Sequence, residues 1–142
     1  MTTPNATGTK FENRCRDLLE THGIPYQKRR VYHTPSKWYE PDSITAKYVW
    51  EFKYQQVSGS AQNKLTQALF ELDWLADKLN KIPVLVYEGD QLTSFVKHDP
   101  AFHNALTFLP HIQVLNFAAF NDLISTSTDF NNRKQNRLLE YA

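Results

Sequence analysis

The sequence predicts one α/β domain over residues 1–142, with helices flanking a mixed β-sheet. Three observations carry this. Apolar residues recur with helical period in two long segments. Ile82-Pro83-Val84-Leu85-Val86-Tyr87 is a continuous apolar run after a helix, the pattern of a strand buried on both faces. The elements read α-β-β-β-α-β-(β)-α-β-α, and no repeat, charge block or low-complexity stretch marks a domain boundary. At 142 residues and 41% hydrophobic content, the chain can bury a core without disulfides, metal or lipid.

The first helix is predicted from about Thr9 to His22. Phe11, Cys15, Leu18 and Leu19 share one face; Thr9 and Glu12 read as a capping box, and Gly23 as the residue that ends the helix. Ile24 to His33 alternates loosely and predicts an exposed strand. A turn at Thr34-Pro35-Ser36 leads to Trp38-Tyr39-Glu40-Pro41-Asp42. Two strands follow, about Asp42 to Thr45 and Lys47 to Gln55, reversing near Ala46. After Ser58-Gly59-Ser60, a helix runs from about Ala61 to Asn80 on a stripe of Leu65, Ala68, Leu69, Leu72, Leu75, Ala76 and Leu79. Beyond the apolar run, Leu92 to Val96 reads as a short strand and Pro100 to Leu109 as a helix. Ile112 to Leu115 reads as a strand and Phe117 to Ile124 as a helix. The polar stretch of about 125–137 reads as loose.

Composition excludes several classes. No apolar run approaches the roughly 18 residues of a membrane span. Met1 to Thr9 is polar and uncharged, unlike a signal peptide, so a cytoplasmic protein is the expectation. One cysteine, Cys15, forms neither an internal disulfide nor a multi-cysteine zinc site, and its place on the core face predicts an inert thiol. His33, His98, His103 and His111 lack metal-ligand spacing. The net charge of +1 gives no sign of a nucleic-acid partner.

The informative stretch is Tyr48-Val49-Trp50-Glu51-Phe52-Lys53-Tyr54-Gln55. Period-2 alternation puts Tyr48, Trp50, Phe52 and Tyr54 on one aromatic, core-seeking face. Val49, Glu51, Lys53 and Gln55 share the other. Read alone, Glu51 and Lys53 make a weak surface ion pair worth about 0–1 kcal/mol. The preceding hairpin alters that reading, because a turn near Ala46 returns Glu51 beside Asp42. Converging carboxylates repel unless a cation lies between them. Oxygen ligands select hard ions such as Mg²⁺, and Lys53 lies one pleat along. These are the parts of metal-assisted phosphodiester hydrolysis.

Pro41-Asp42 followed by Glu51-Phe52-Lys53 resembles the signature of the PD-(D/E)xK nucleases, the restriction-endonuclease-like fold. The resemblance runs from about Gly8 to Leu79. It implies a restriction-endonuclease-like core, with Asp42 and Glu51 as Mg²⁺ ligands assisted by the Phe52 carbonyl, and Mn²⁺ as a substitute ion. It further implies that Lys53 orients water or stabilises the phosphate, and that Glu12 reaches the metal site, although the capping box explains Glu12 equally well. Gln55 resembles the family's glutamine after the lysine; alternation favours it over Gln56. Ser58, Ser60 and Lys64 resemble a segment of restriction-type members and would contact phosphate, or else serve as a cap and a surface charge.

The implied partner is DNA. Lys28, Arg29, Arg30, Lys37, Arg133, Lys134 and Arg137 are candidate phosphate or base contacts, and Trp38 and Tyr39 candidate stacking groups. The implied activity is that of a homodimeric site-specific duplex endonuclease of restriction or homing type. The alternatives are a Holliday-junction or branched-DNA resolvase, a non-catalytic nucleic-acid-binding module on the same fold, and an unrelated interaction domain with a chance motif.

Overall fold

The computed structural model of the chain describes residues 4–27, 30–35, 38–57 and 61–126. Helix α1 runs Pro4–Thr21, starting before the predicted Thr9 cap. Pro4 opens it, and proline's fixed φ suits a first helical turn. Thr9 and Glu12 therefore lie inside the helix, which removes the capping explanation for Glu12. The other end is as the sequence predicts. Gly23 takes φ 68°, and the Gly23 and Ile24 amides donate back to the carbonyls of Glu20 and Leu19.

The long strand predicted from Ile24 to His33 does not form among the described residues. Gln27 makes an isolated bridge to Ile44, and only Tyr32–His33 (β1) becomes a strand, paired antiparallel with Trp38–Tyr39 (β2). The segment is polar on both faces, so no single face gains from burial along its whole length.

The main sheet has β3 (Ser43–Ile44), β4 (Tyr48–Tyr54), β5 (Ile82–Glu88) and β6 (Gln113–Asn116), in the order β3-β4-β5-β6. β3 pairs antiparallel with β4 and the other pairs are parallel, so the sheet is mixed. Helix α2 (Ala61–Leu79) is the crossover between the parallel strands β4 and β5. Pro83 is tolerated in β5 because the Ile82 amide faces β4, donating to the Lys47 carbonyl, so the next residue's nitrogen faces away from β4. It does so before β6 begins opposite Val84.

Helices α3 (Asp90–His98) and α4 (Pro100–Thr107) join β5 to β6, and α5 (Phe117–Thr126) follows. The strand predicted over Leu92 to Val96 is thus part of a helix. Leu92, Phe95 and Val96 fall at i, i+3 and i+4 and pack with Phe102 and Leu85, while Asp90 and the Lys97–His98 pair suit the two helix ends. Asp99 caps α4 by accepting from the Phe102 amide, with Pro100 in the first turn.

The sheet separates two apolar layers. On one face Tyr48, Trp50 and Phe52 of β4 and Val84 and Val86 of β5 pack against Phe11, Cys15 and Leu19 of α1 and Phe120 and Ile124 of α5. On the other, Val49 packs with Leu72, Leu75 and Ala76 of α2. The buried Trp50 indole donates to the Thr45 hydroxyl at 2.9 Å, which meets the polar demand of the largest core side chain. Burial raises the Cys15 thiol pKa, in keeping with an inert core cysteine. Among the described residues, no helix is long and apolar enough to cross a membrane.

Gly89, between β5 and α3, has φ 105°, and an added Cβ would lie 2.2 Å from the Gln55 carbonyl oxygen. Gly23 has a positive φ but open space around it. Urea unfolding should therefore show a loss of about 3 kcal/mol for Gly89→Ala and about 1 kcal/mol for Gly23→Ala. Equal losses would show that the close approach to Gln55 is unimportant.

Candidate functional site

The β3–β4 register sets Ser43 opposite Trp50 and Ile44 opposite Val49. One step earlier, the Asp42 amide donates to the Trp50 carbonyl at 3.1 Å. The Asp42 side chain continues the ladder, with Oδ2 accepting from the Phe52 amide at 2.7 Å. This fixes the Asp42 carboxylate beside Glu51, as the hairpin argument predicts. A strand residue's amide and carbonyl point to the same neighbour, so the Phe52 carbonyl is directed to the same edge.

Glu51 is buried, which overturns the reading of its strand face as solvated surface. Its Oε1 accepts from the Tyr39 hydroxyl at 3.2 Å, and its Oε2 lies 3.9 Å from the half-buried Lys53 ammonium. Asp42, Glu51 and Lys53 line an open cleft of about 480 Å³. Its walls are Trp38, Tyr39 and Glu40 from the β2 segment and Lys64, Gln67, Ala68 and Glu71 from α2. Four carboxylates thus face two ammonium groups, and the lining is formally acidic.

The electrostatics follow from burial. The Asp42 pKa is pushed well up by burial, then by the Glu51 charge; Lys53 and the Phe52 amide oppose this. Burial also raises the Glu51 pKa, against Lys53 and hydrogen bonds from Asp42 and Tyr39. The pair therefore keeps a proton to higher pH than isolated carboxyls do. Lys53 is raised chiefly by Glu51, so it is held as an ammonium and is unsuited to act as a base in this state.

The donor chemistry fits a hard divalent ion. Two carboxylates and a carbonyl are all-oxygen, and burial with mutual repulsion disfavours two bare negative charges there, so added positive charge is favoured between them. Among the described residues, no group of three or more His, Cys, Asp or Glu side chains forms a metal cage. Mg²⁺ is usually held by one or two carboxylates with water and substrate phosphate rather than by such a cage.

The remaining predicted residues are distributed unevenly. Glu12 is partly exposed and lies 3.7 Å from Arg16; its charge reaches Glu51 and Lys53, but it does not line the cleft. Gln55 is buried with Nε2 donating to the Val57 carbonyl at 2.9 Å, which holds the end of β4; it is outside the cleft lining. Lys64 is exposed on the cleft wall. Arg30 is exposed, with its guanidinium 5.2 Å from the Tyr32 ring centre. Lys28, Arg29, Lys37, Ser58, Ser60, Arg133, Lys134 and Arg137 lie outside the described residues.

Three residues of the site escape sequence reasoning. Arg16 is buried, and its guanidinium donates to the Asp42 carbonyl at 3.1 Å, tying α1 to the approach to β3. Tyr39 is the buried hydroxyl partner of Glu51 rather than a stacking group. Glu71 is a buried acid in the cleft wall. One signal was available for Glu71: Lys64, Gln67, Ala68 and Glu71 fall at i, i+3, i+4 and i+7, a stripe beside the apolar face of α2.

Comparison with known proteins finds no matching family model and no match among curated proteins. The fold is similar to the crystal structure of a protein of unknown function, AF1548, at 15% identity and a TM-score of 0.50. The match covers 77% of this chain and 57% of that one, so the chain spans little more than half of its neighbour's length.

Without a bound cation, a raised carboxyl pKa makes the pair a pH-dependent cost. At low pH both folded and unfolded states are protonated and the groups contribute nothing. As pH rises past about 4, the unfolded carboxyls ionise first and stability falls until the folded pair ionises. Asn at position 42 can accept from the Phe52 amide and donate to Glu51. In EDTA, Asp42→Asn should raise the Tm at neutral pH by a few degrees, about 1 kcal/mol. The gap should shrink on acidification toward pH 4. A variant that melts lower at neutral pH would contradict this reading of the pair.

Proposed function

We propose that the chain is a Mg²⁺-dependent DNA endonuclease on a restriction-endonuclease-like core, related to the PD-(D/E)xK nucleases. The observation that carries this reading is the juxtaposition of Asp42 and Glu51 on adjacent strands. Both carboxylates open, with Lys53, into one cleft. Asp42, Glu51 and the Phe52 carbonyl would hold the ion, and Glu12 would add negative charge nearby. When bound, Mg²⁺ supplies a polarised phosphoryl oxygen and a more acidic water.

The chain's own groups perform the rest. The Lys53 ammonium orients the attacking water and offsets the charge that builds on the phosphate. Its raised pKa keeps it charged for this task. Tyr39 holds the Glu51 carboxylate through its buried hydroxyl, and Arg16 holds the Asp42 backbone. A duplex cut on both strands needs two such sites, which a homodimer supplies by symmetry. The acidic lining supports dependence on a cation, because a polyanion is repelled from it until positive charge is added.

Incubation with a plasmid library and with a synthetic four-way junction, in Mg²⁺ or Mn²⁺ and in EDTA, tests the reading. Cleavage should require the ion. Asp42→Ala and Lys53→Ala should each reduce the rate by about 10²–10³-fold with an unchanged circular dichroism spectrum. Discrete plasmid bands would indicate a site-specific duplex cutter, and junction-only nicking a resolvase. Cleavage that survives either substitution or EDTA would overturn the assignment. Ion-independent DNA binding without cleavage would instead indicate a non-catalytic module.

A further inference from the structure

We infer that Trp38 is a base-stacking platform and that the cleft takes an unpaired DNA strand rather than intact duplex. This inference rests on the cleft being a nucleic-acid site and adds the substrate class. Strand β2 is two residues long, and its faces have opposite fates. Tyr39 turns inward to Glu51 and the core formed with α2, while Trp38 turns outward and is 67% exposed. The other tryptophans, Trp50 and Trp74, are buried and half-buried.

The Trp38 indole is not loose. His33 lies directly across the β1–β2 pair and meets it edge-on, with ring centres 4.8 Å apart and planes at 67°. Among the described residues His33 is the ring that braces it, while most of Trp38 remains exposed at the rim of an acidic cleft. A pre-positioned aromatic beside a phosphate-chemistry site has an evident use, because every base offers a π-face and base–aromatic stacking needs no particular sequence.

Geometry then selects the strand type. Inside a duplex both faces of a base are covered by neighbouring bases, so an indole stacks on an unpaired or end base without the unstacking cost that a duplex step imposes. The cleft volume, about 480 Å³, is on the scale of a small-ligand pocket. Lys64 lines the same cleft from α2, and its ammonium supplies a phosphate-binding charge for a strand whose base stacks on the indole. A strand entering between them would bring its backbone to Asp42, Glu51 and Lys53.

The test measures binding without cleavage. The 142-residue chain in Ca²⁺ is titrated with fluorescently labelled dT12 and with a blunt 12-base-pair duplex, for the wild type, Trp38→Phe and Trp38→Ala. Trp38→Ala should weaken dT12 binding by roughly tenfold or more, and Trp38→Phe should retain most of it. Duplex binding should respond to neither, and binding of dT12 should quench tryptophan fluorescence only when Trp38 is present. Equal dT12 affinity for wild type and Trp38→Ala, or equal losses on dT12 and duplex, would overturn the inference. The two readings fail separately. Trp38-dependent dT12 binding without Mg²⁺-dependent cleavage would sustain the platform and refute the nuclease. Duplex cleavage indifferent to Trp38→Ala would do the reverse.

Discussion

The site depends on one short piece of antiparallel pairing, the two residue pairs of β3 against β4 and their continuation through Asp42. The Asp42 amide reaches the Trp50 carbonyl and its carboxylate takes the Phe52 amide, so the side chain stands where the next ladder bond would be. A slip of one residue would turn Glu51 and Lys53 into the aromatic core and Trp50 and Phe52 into the cleft. The core prevents this. Trp50, Phe52 and Tyr48 fill the layer beneath α1 and α5, and Trp50 finds its only polar need met by Thr45 in the same hairpin. Packing on one face of β4 thus enforces chemistry on the other.

That arrangement has a cost in the cation-free chain. Two carboxyls are held together with Tyr39 and a single ammonium, and both are pushed toward the protonated form. A fold selected only for stability would replace one of them. A buried acidic pair kept against its electrostatic cost is the kind of local conflict that marks functional sites. The surrounding groups are consistent with this. Arg16, Tyr39 and Lys53 each hold one part of the pair in place, from α1, from the hairpin and from β4 itself.

Much of this was legible in the sequence because it is local. The faces of β4 follow from period-2 alternation, and the Asp42–Glu51 approach follows from the turn at Ala46. Gly23 ends α1 as its type predicts. The misreadings arose where two explanations fitted the same residues. Thr9 and Glu12 have capping-box spacing but lie within α1, and Leu92 to Val96 is apolar enough for a strand while its spacing fits a helix. Arg16 and Glu71 were hidden for a different reason. Each is a charged residue on a helix that meets β3 or the cleft only through tertiary packing, and no spacing within α1 or α2 identifies the partner.

The cleft lining carries four acids and two lysines among the described residues, so on the proposed reading affinity for a polyanion there would come from a bound cation and from stacking. The claim beneath all of this is that Asp42 and Glu51 jointly hold a divalent ion. The most direct measurement is anomalous diffraction from crystals of the protein soaked in Mn²⁺. A peak bonded to both carboxylates and to the Phe52 carbonyl is expected, and it should be absent from Asp42→Asn crystals. A wild-type map with no peak between the two carboxylates would contradict it.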